Sequence, residues 1–590
     1  MACFTRSGWK RETATAKWEV LCLVLWSVFS GPVTAQTPAT PLITQSINHA
    51  EMVTLRGNVH PLAQPRYDLG PAASSLPAPR LMLLLGRPAD RESALEQFMK
   101  EAHTRGFATY HQWLKPEEFG ARFGPADSDI QQVSDWLRGM GFQVAGTSKG
   151  KTLIEFSGTV GQVNKAFHTQ IRKYSVNGEE HYANATDPQI PAAFAGIVRE
   201  VSSLNDFRPR SNLHVVGRAH VDPATRRISP DFTLSGQNGP FYAVAPEDFG
   251  TQYDLAPLYA AGVNGSGKTI GIINDSNIDL NLDNAYRTLF NLSSNPAQVV
   301  LDGGDPGING DNTEAYLDVE MAGAIAPGAT VNLYIASWDT VATALNDPLI
   351  LAARRAIEDN QADVLSVSFS ECEGDIGTAD NLILAALWEQ AAAQGQTVFV
   401  SAGDNGSAGC DNTDTQQAAI YGLQVNGFAS TTWNVAVGGT DFYYSDYASG
   451  APSAANLWNA TNDANLGSLK APLPEQVWND SFGFNAVNLN DTEEGHYVYT
   501  IAAGSGGASD CINSAASAEG AALPLSVTLL RELSTDMPSQ PGRVVPASRP
   551  TAYATFPTSL CSPPMATIFP HTPSAPTRAT VYPTQISRHR

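Results

Sequence analysis

The sequence predicts an α/β protein in which a mixed α+β region precedes a parallel sheet wrapped by helices. Three observations predict it. Short apolar strand candidates recur through the second half of the 590 residues with helical stretches between them. The first half mixes helical spacing with a tight hairpin signal. Between the two halves lies a stretch of Arg, Pro and polar residues with no clear period.

The chain is too long for one ordinary domain. Near its start, Lys10, Arg11 and Lys17 precede the apolar run VLCLVLWSVFSG, then Val33-Thr34-Ala35 and Gln36. This reads as a signal peptide over residues 1–35 cut after Ala35, and hence as a secreted, extracellular protein. The run is short for a membrane anchor, and no later stretch qualifies. Export allows cysteines to pair; Cys3 and Cys22 leave with the signal, and Cys372, Cys410, Cys511 and Cys561 remain.

Residues 41–207 form the first folded part. LMLLLG at 81–86 is a strand candidate, and SALEQFMKEAHTRG places Leu95, Phe98 and Met99 on one helical face before Gly106. Asp127 is placed to cap a second helix carrying Ile130, Val133 and Leu137 on one stripe. IRKYSVNGEEHYA then alternates around Asn177-Gly178, the dipeptide preferred by type I′ hairpins. Together these read as an α+β unit of ferredoxin-like type. Residues 208–240, with RPRSNLHVVGRAH and PATRRISP, read as an exposed linker holding a processing site.

The second part, residues 241–515, offers strands at TIGIIND (269–275), TVNLYIA (330–336), DVLSVSF (363–369), TVFVSAG (397–403) and WNVAVGG (433–439). A helix from about Ala379 to Ala393 ends at Gly395 directly before a strand, which makes the neighbouring strands parallel. Past Asp536 the chain has no Asp, Glu or Lys and is dense in Pro, Ser, Thr and Ala, so residues 516–590 read as an aberrant, disordered tail.

Charge narrows the function classes. With 36 basic and 58 acidic residues the net charge is −22, so nucleic acid is excluded as a partner, and the composition suits acidic surroundings. Gly262 to Thr269, GVNGSGKT, matches the phosphate-loop pattern letter by letter. Its context rejects it, because a helical stretch precedes the glycines and a strand follows, the reverse of what a phosphate cradle needs.

Two other places can carry chemistry. Glu314 and Asp318 lie four apart in DNTEAYLDVEMAGAIAPGA, which stacks two carboxylates on one helix face and pushes one pKa upward; a solvated acidic face is the plain alternative. Asp404, in VFVSAGDNGSAGC, follows a strand at the sheet edge where such folds hold ligands, or else is a turn residue before Asn-Gly.

The ordered set of E-x-x-x-D before AGAIAPGA, then DVLSVSFSECE, SAGDNGS and VAVGGTDF resembles the subtilisin-like catalytic domain of the sedolisins, the serine-carboxyl peptidases. YHQWLKPEEFGARFGPADSDIQQVSDWL resembles the pro-kumamolisin activation domain, and the resemblance covers about residues 45–515. It implies a subtilisin-like doubly wound parallel sheet and a secreted endopeptidase made as a zymogen, acting at acid pH on protein or peptide substrates. The activation domain would be the intramolecular inhibitor. Glu314 would be the general base, Asp318 the carboxylate orienting it, and Asp404 the acid completing the oxyanion hole. A carboxylate base suits low pH, where a histidine is protonated. The resemblance also implies a Cys372–Cys410 disulfide and a calcium ion held near the C-terminus.

The sequence departs from the family downstream. The nucleophile motif S-G-T-S-x-x-x-P is absent; Gly146-Thr147-Ser148 falls in the activation region without the proline. Read in a shifted frame, the codons of Pro550–Pro563 permit DGVRDIPDVSLFA, and those of Asp536–Arg543 permit YAxPTWQ, both family-like strings. The expectation is a frameshift between about Cys511 and Asp536. It would truncate the sheet and remove both the nucleophilic serine and the calcium ligands, leaving a chain inactive as written. A non-enzymatic secreted binding protein on the same scaffold is the rival reading.

Overall fold

The structure is a computed structural model and describes residues 38–202, 204–211, 220–221, 228–229, 233–236, 239–242, 244–337, 345–411, 418–442, 457–459, 461–479 and 501–509. The chain divides into Met1–Ala39 and a compact unit Thr40–Arg590, to which all elements below belong. The expected signal peptide, Cys511, Cys561 and the expected aberrant tail lie outside the described residues.

After short strands at Met52–Thr54 and Asp68–Pro71, the first region runs through β1 (Pro77–Leu85), then α1 (Ala89–His103), α2 (Pro116–Phe123) and α3 (Asp127–Gly139). The chain returns through β2 (Gln143–Thr147) and β3 (Leu153–Thr159), crosses in α4 (Val160–Ala166), forms a hairpin of β4 (Ile171–Val176) and β5 (Glu179–Asn184), and closes with β6 (Val198–Val201). One antiparallel sheet has the order β2-β3-β1-β6. Asn177 and Gly178 both take positive φ, 53° and 89°, as a type I′ turn requires. Asp127 is the first residue of α3 rather than its cap, which falls on Ala126. The nearby Asp129 carboxylate instead accepts from the backbone N–H groups of Leu42 and Ile43, tying the entering chain to the helix.

The five apolar residues of LMLLL serve two cores. Leu81, Leu83 and Leu85 pack inward with Val133, Leu137 and Phe156. Met82 and Leu84, pointing to the other face of the strand, join a core with Ile350, Ile357, Leu384 and Trp388. The first region's sheet is therefore sandwiched between its own helices and two helices of the second region.

Part of the stretch read as an unstructured linker is ordered. β7 (Arg210–Ser211) leaves the first region, and short pairs form at His220–Val221 with Ile228–Ser229 and at Thr233–Gly236 with Gly239–Tyr242.

The second region runs β8 (Thr269–Asn274), α5 (Leu280–Leu289), β9 (Gln298–Asp302), α6 (Asn312–Ile325), β10 (Thr330–Ala336), α7 (Pro348–Asp359), β11 (Val364–Val367), β12 (Phe369–Ser370), α8 (Glu373–Ala393), β13 (Thr397–Ser401) and β14 (Asn434–Val437). Six strands form a sheet ordered β9-β10-β8-β11-β13-β14, parallel throughout. Helices cover both faces. Ile272, Leu333 and Ile335 meet α6 residues on one side, while Ile273 and Tyr334 meet α7 and α8 on the other. The sequence reading lacked β9, and α8 starts at Glu373, six residues before the expected Ala379, with a break at Gly377 (φ 71°). The phosphate-loop look-alike sits between the short helix Ala256–Ala260 and β8, the order that rejects it.

Candidate active site

Three elements meet where the sheet's strands end. The first is α6, closed off at its C-terminus by the Pro327-Gly328 pair, neither of which continues a helix well. Glu314 lies in its first turn, 4% exposed, and Asp318 one turn later. At that end the helix dipole favours an ionised Glu314, but burial opposes it. Burial first, and then the neighbouring Asp318 charge, push Glu314 well above the ordinary carboxyl range; burial does the same to Asp318. Such a pair titrates as a unit and holds one proton over a wide pH range. Asp318 Oδ2 is shut off from solvent with no hydrogen-bond partner, so the carboxyl bears a proton more easily than a charge.

The second is the exit of β11. Ser368 donates its hydroxyl to Asp318 Oδ1 at 2.8 Å, fixing that carboxyl. The third is the turn after β13, where Asp404 is pushed up to about 7 by burial. The backbone holds this turn, since Ala503 N–H donates to Asp404 O at 2.9 Å and Ser505 Oγ accepts from Asn405 N–H at 3.0 Å. The Cys372–Cys410 disulfide, spanning 38 residues, ties the same loop to the start of α8. Asp404's charge also acts on Glu314, so the three sequence-predicted carboxyls share one electrostatic site.

The linker enters this site. β7 pairs antiparallel with β12, Arg210 opposite Ser370 and Ser211 opposite Phe369. Ser211 then donates its hydroxyl to Glu314 Oε2 at 2.8 Å. A carboxyl accepting a hydroxyl proton donor is poised as a base would be, and here a serine from the linker fills that position. Sequence reasoning named neither Ser211 nor Ser368. Ser368 lies within DVLSVSFSECE, but a serine at a strand end carries no signal of its own, and Ser211 sits in a stretch without periodicity.

Calcium takes six to eight oxygen ligands. The one group of three or more His, Cys, Asp or Glu side chains whose ligand atoms converge among the described residues is Cys372, Asp375 and Cys410. Two of these are joined in the disulfide, so this group does not fit calcium.

Residues 67–207 match the family described as Pro-kumamolisin, activation domain. The chain is 30% identical over 382 residues to Sedolisin of Pseudomonas sp. (strain 101), covering 63% of this chain and 62% of that protein. It is 30% identical over 421 residues to Xanthomonalisin of Xanthomonas sp. (strain T-22), covering 66% and 49%. It is 26% identical over 383 residues to Kumamolisin of Bacillus sp. (strain MN-32), covering 62% and 63%. The chain thus matches less than two thirds of the length of these relatives. Fold and comparisons together give an α/β protein whose first region matches the activation-domain model over residues 67–207. The chain is similar to these three sedolisin-type peptidases without matching any of them over two thirds of its length.

Proposed function

We propose that this chain is the zymogen form of a secreted serine-carboxyl endopeptidase that hydrolyses peptide bonds at acid pH. On this reading the sheet is subtilisin-like and the activation domain ferredoxin-like, which the β2-β3-β1-β6 order and the doubly covered parallel sheet support. Secretion rests on the sequence of residues 1–35; among the described residues no helix is long and apolar enough to cross a membrane.

One observation carries the proposal: β7 lies along β12 as an extended substrate would, with Ser211 on Glu314. Glu314 takes the nucleophile's proton, Asp318 orients it and shares its proton, and a protonated Asp404 donates to the developing oxyanion. With its elevated pKa, Asp404 is neutral throughout the acid range, which that role requires. The docked linker keeps Glu314 engaged, so the activation domain inhibits in cis. A calcium ion belongs to this proposal only through the family resemblance, and no step depends on it.

The nucleophile is the missing part. No serine stands in S-G-T-S-x-x-x-P, and we take the chain as written to be inactive in hydrolysis. The same absence favours the second reading, a binding protein on a peptidase scaffold. Resequencing the gene across codons 505–590 and beyond the present stop separates the two. A single-base change that brings S-G-T-S into frame, with acid proteolysis by the restored protein, supports the peptidase. An uninterrupted frame through the tail leaves a peptidase remnant that at most binds.

A further inference from the structure

Successive residues of an extended strand face opposite ways. The register that offers Ser211 to Glu314 therefore turns Arg210 to the other side of β7, where Ser370 is its pairing partner and Glu371 follows. Behind β12 lies a small enclosed cavity of about 10 Å³, room for one water. Its walls include Asp347, Glu371, Asp375 and Asp380, and the activation region closes it with Asn205 and Phe207. Asn346, 1% exposed, also lines it with both side-chain polar atoms unpartnered. His60 approaches Glu371 at 3.9 Å but brings no charge, because burial and then His181 hold it down to about 3. Arg210 is exposed, and it is the cation whose field acts on both Glu371 and Asp375.

We propose that Glu371 and Asp375 form a side-chain subsite of the substrate cleft that takes arginine or lysine, at the residue immediately before the one presented to Glu314. The preferred substrates are then polypeptides with a basic residue at that position, and the linker supplies its own through Arg210. This rests on the reading of β12 as the strand that binds substrate. Burial and the neighbouring carboxyls favour protons on Asp347, Glu371 and Asp375; a cationic side chain delivered beside them lets a carboxyl ionise and pairs with it, whereas an acidic one adds a further carboxyl to the cluster. When the activation domain leaves, Asn205 and Phe207 leave with it and the cavity opens to the cleft.

The test uses the full chain and needs no hydrolysis. Hydrogen exchange at about pH 7.5, above the value of about 6 to which burial raises Asp375, reads the pairing of β7 with β12 in wild type, R210K, R210Q and R210E. The expected result is wild-type protection in R210K and exchange about three- to tenfold faster in R210E, with R210Q between. D375K combined with R210E restores protection. Labelled peptides of residues 205–214 carrying Arg, Gln or Glu at position 210 are then titrated into the R210E chain, in which the linker is loosened. Tighter binding of the Arg peptide by at least about threefold supports the subsite. Equal exchange across the variants and equal peptide affinities overturn it, while protected wild-type amides at 210 and 211 leave the cleft reading standing. Unprotected wild-type amides overturn both.

Discussion

Ser368 and Ser211 hold two of the three carboxyls of α6, one bonding Asp318 and one Glu314. Replacing Ser368 with Ala removes the hydroxyl from a carboxyl whose other oxygen already lacks a partner. The expected loss is about 1–3 kcal/mol of stability in denaturant titration, with a further upward shift of the Asp318 titration. A neutral S368A would mean that water already serves that oxygen. The carboxyl residues themselves were legible in the sequence, because E-x-x-x-D on a helix fixes a one-turn spacing whatever the surroundings. Their partners were not: a hydroxyl bond across 50 or 103 residues depends on how the strands and linker return to the site. The same limit hid Arg210 and the acidic cavity, whose members come from three separate stretches of chain.

At the scale of elements, β1 explains its own composition. A run of five apolar residues fits a strand buried on both faces, and the two faces make separable predictions. Leu83→Ala opens a cavity inside the activation domain and costs about 2–5 kcal/mol of its stability by denaturant unfolding. Met82→Ala and Leu84→Ala instead weaken the contact with α7 and α8, so they speed exchange at Ile357 and Leu384 more than at Val133. Equal effects on both cores would contradict the division. Helix α7, which the sequence reading did not single out, nonetheless carries end signals in its sequence, with Asp347 accepting from Leu349 N–H at 2.7 Å, Pro348 in the first turn and Asn360 left-handed at the end. Strand β9 escaped notice because its apolar run, Val299-Val300-Leu301, is only three residues long. Removing the disulfide as C372S/C410S frees the Asp404 loop, and the expected cost is about 2–4 kcal/mol.

Across the whole molecule, two sets of carboxyls respond to pH in opposite senses. Glu200 and Asp347 are pushed up to about 8 and Asp375 to about 6, in each case chiefly by burial. Their stability contribution is complete below the unfolded value near 4 and is lost as pH rises through those elevated values. Glu155 behaves conversely. Burial raises it, but the Arg80 hydrogen bond and the Arg354 and Arg80 charges outweigh that and hold it below the usual range. Arg80 bridges Glu155 to Asp302 and Arg354 bridges the same pair, linking β1 and β3 to β9 and α7. That network contributes above the unfolded carboxyl value and fades as pH falls below it. Calorimetry between about pH 3 and 8 should therefore find a maximum near pH 4–5, with a decline on either side. A melting temperature that climbs from pH 5 to 8 would contradict the assignment of protons to the buried set. On the acid side of the curve the contact between the two regions weakens, since the arginine network joins them.

The central claim is that Glu314, Asp318 and Asp404 form a buried, proton-holding site. Difference infrared spectroscopy of the carboxyl band reads it directly in the chain as it stands, comparing wild type with E314Q, D318N and D404N from about pH 4 to 8. The account predicts protonated carboxyl signals that persist at about pH 6, one lost in D404N and one lost or reshaped in both E314Q and D318N. Carboxyls at all three positions that are fully ionised by about pH 5 would contradict it.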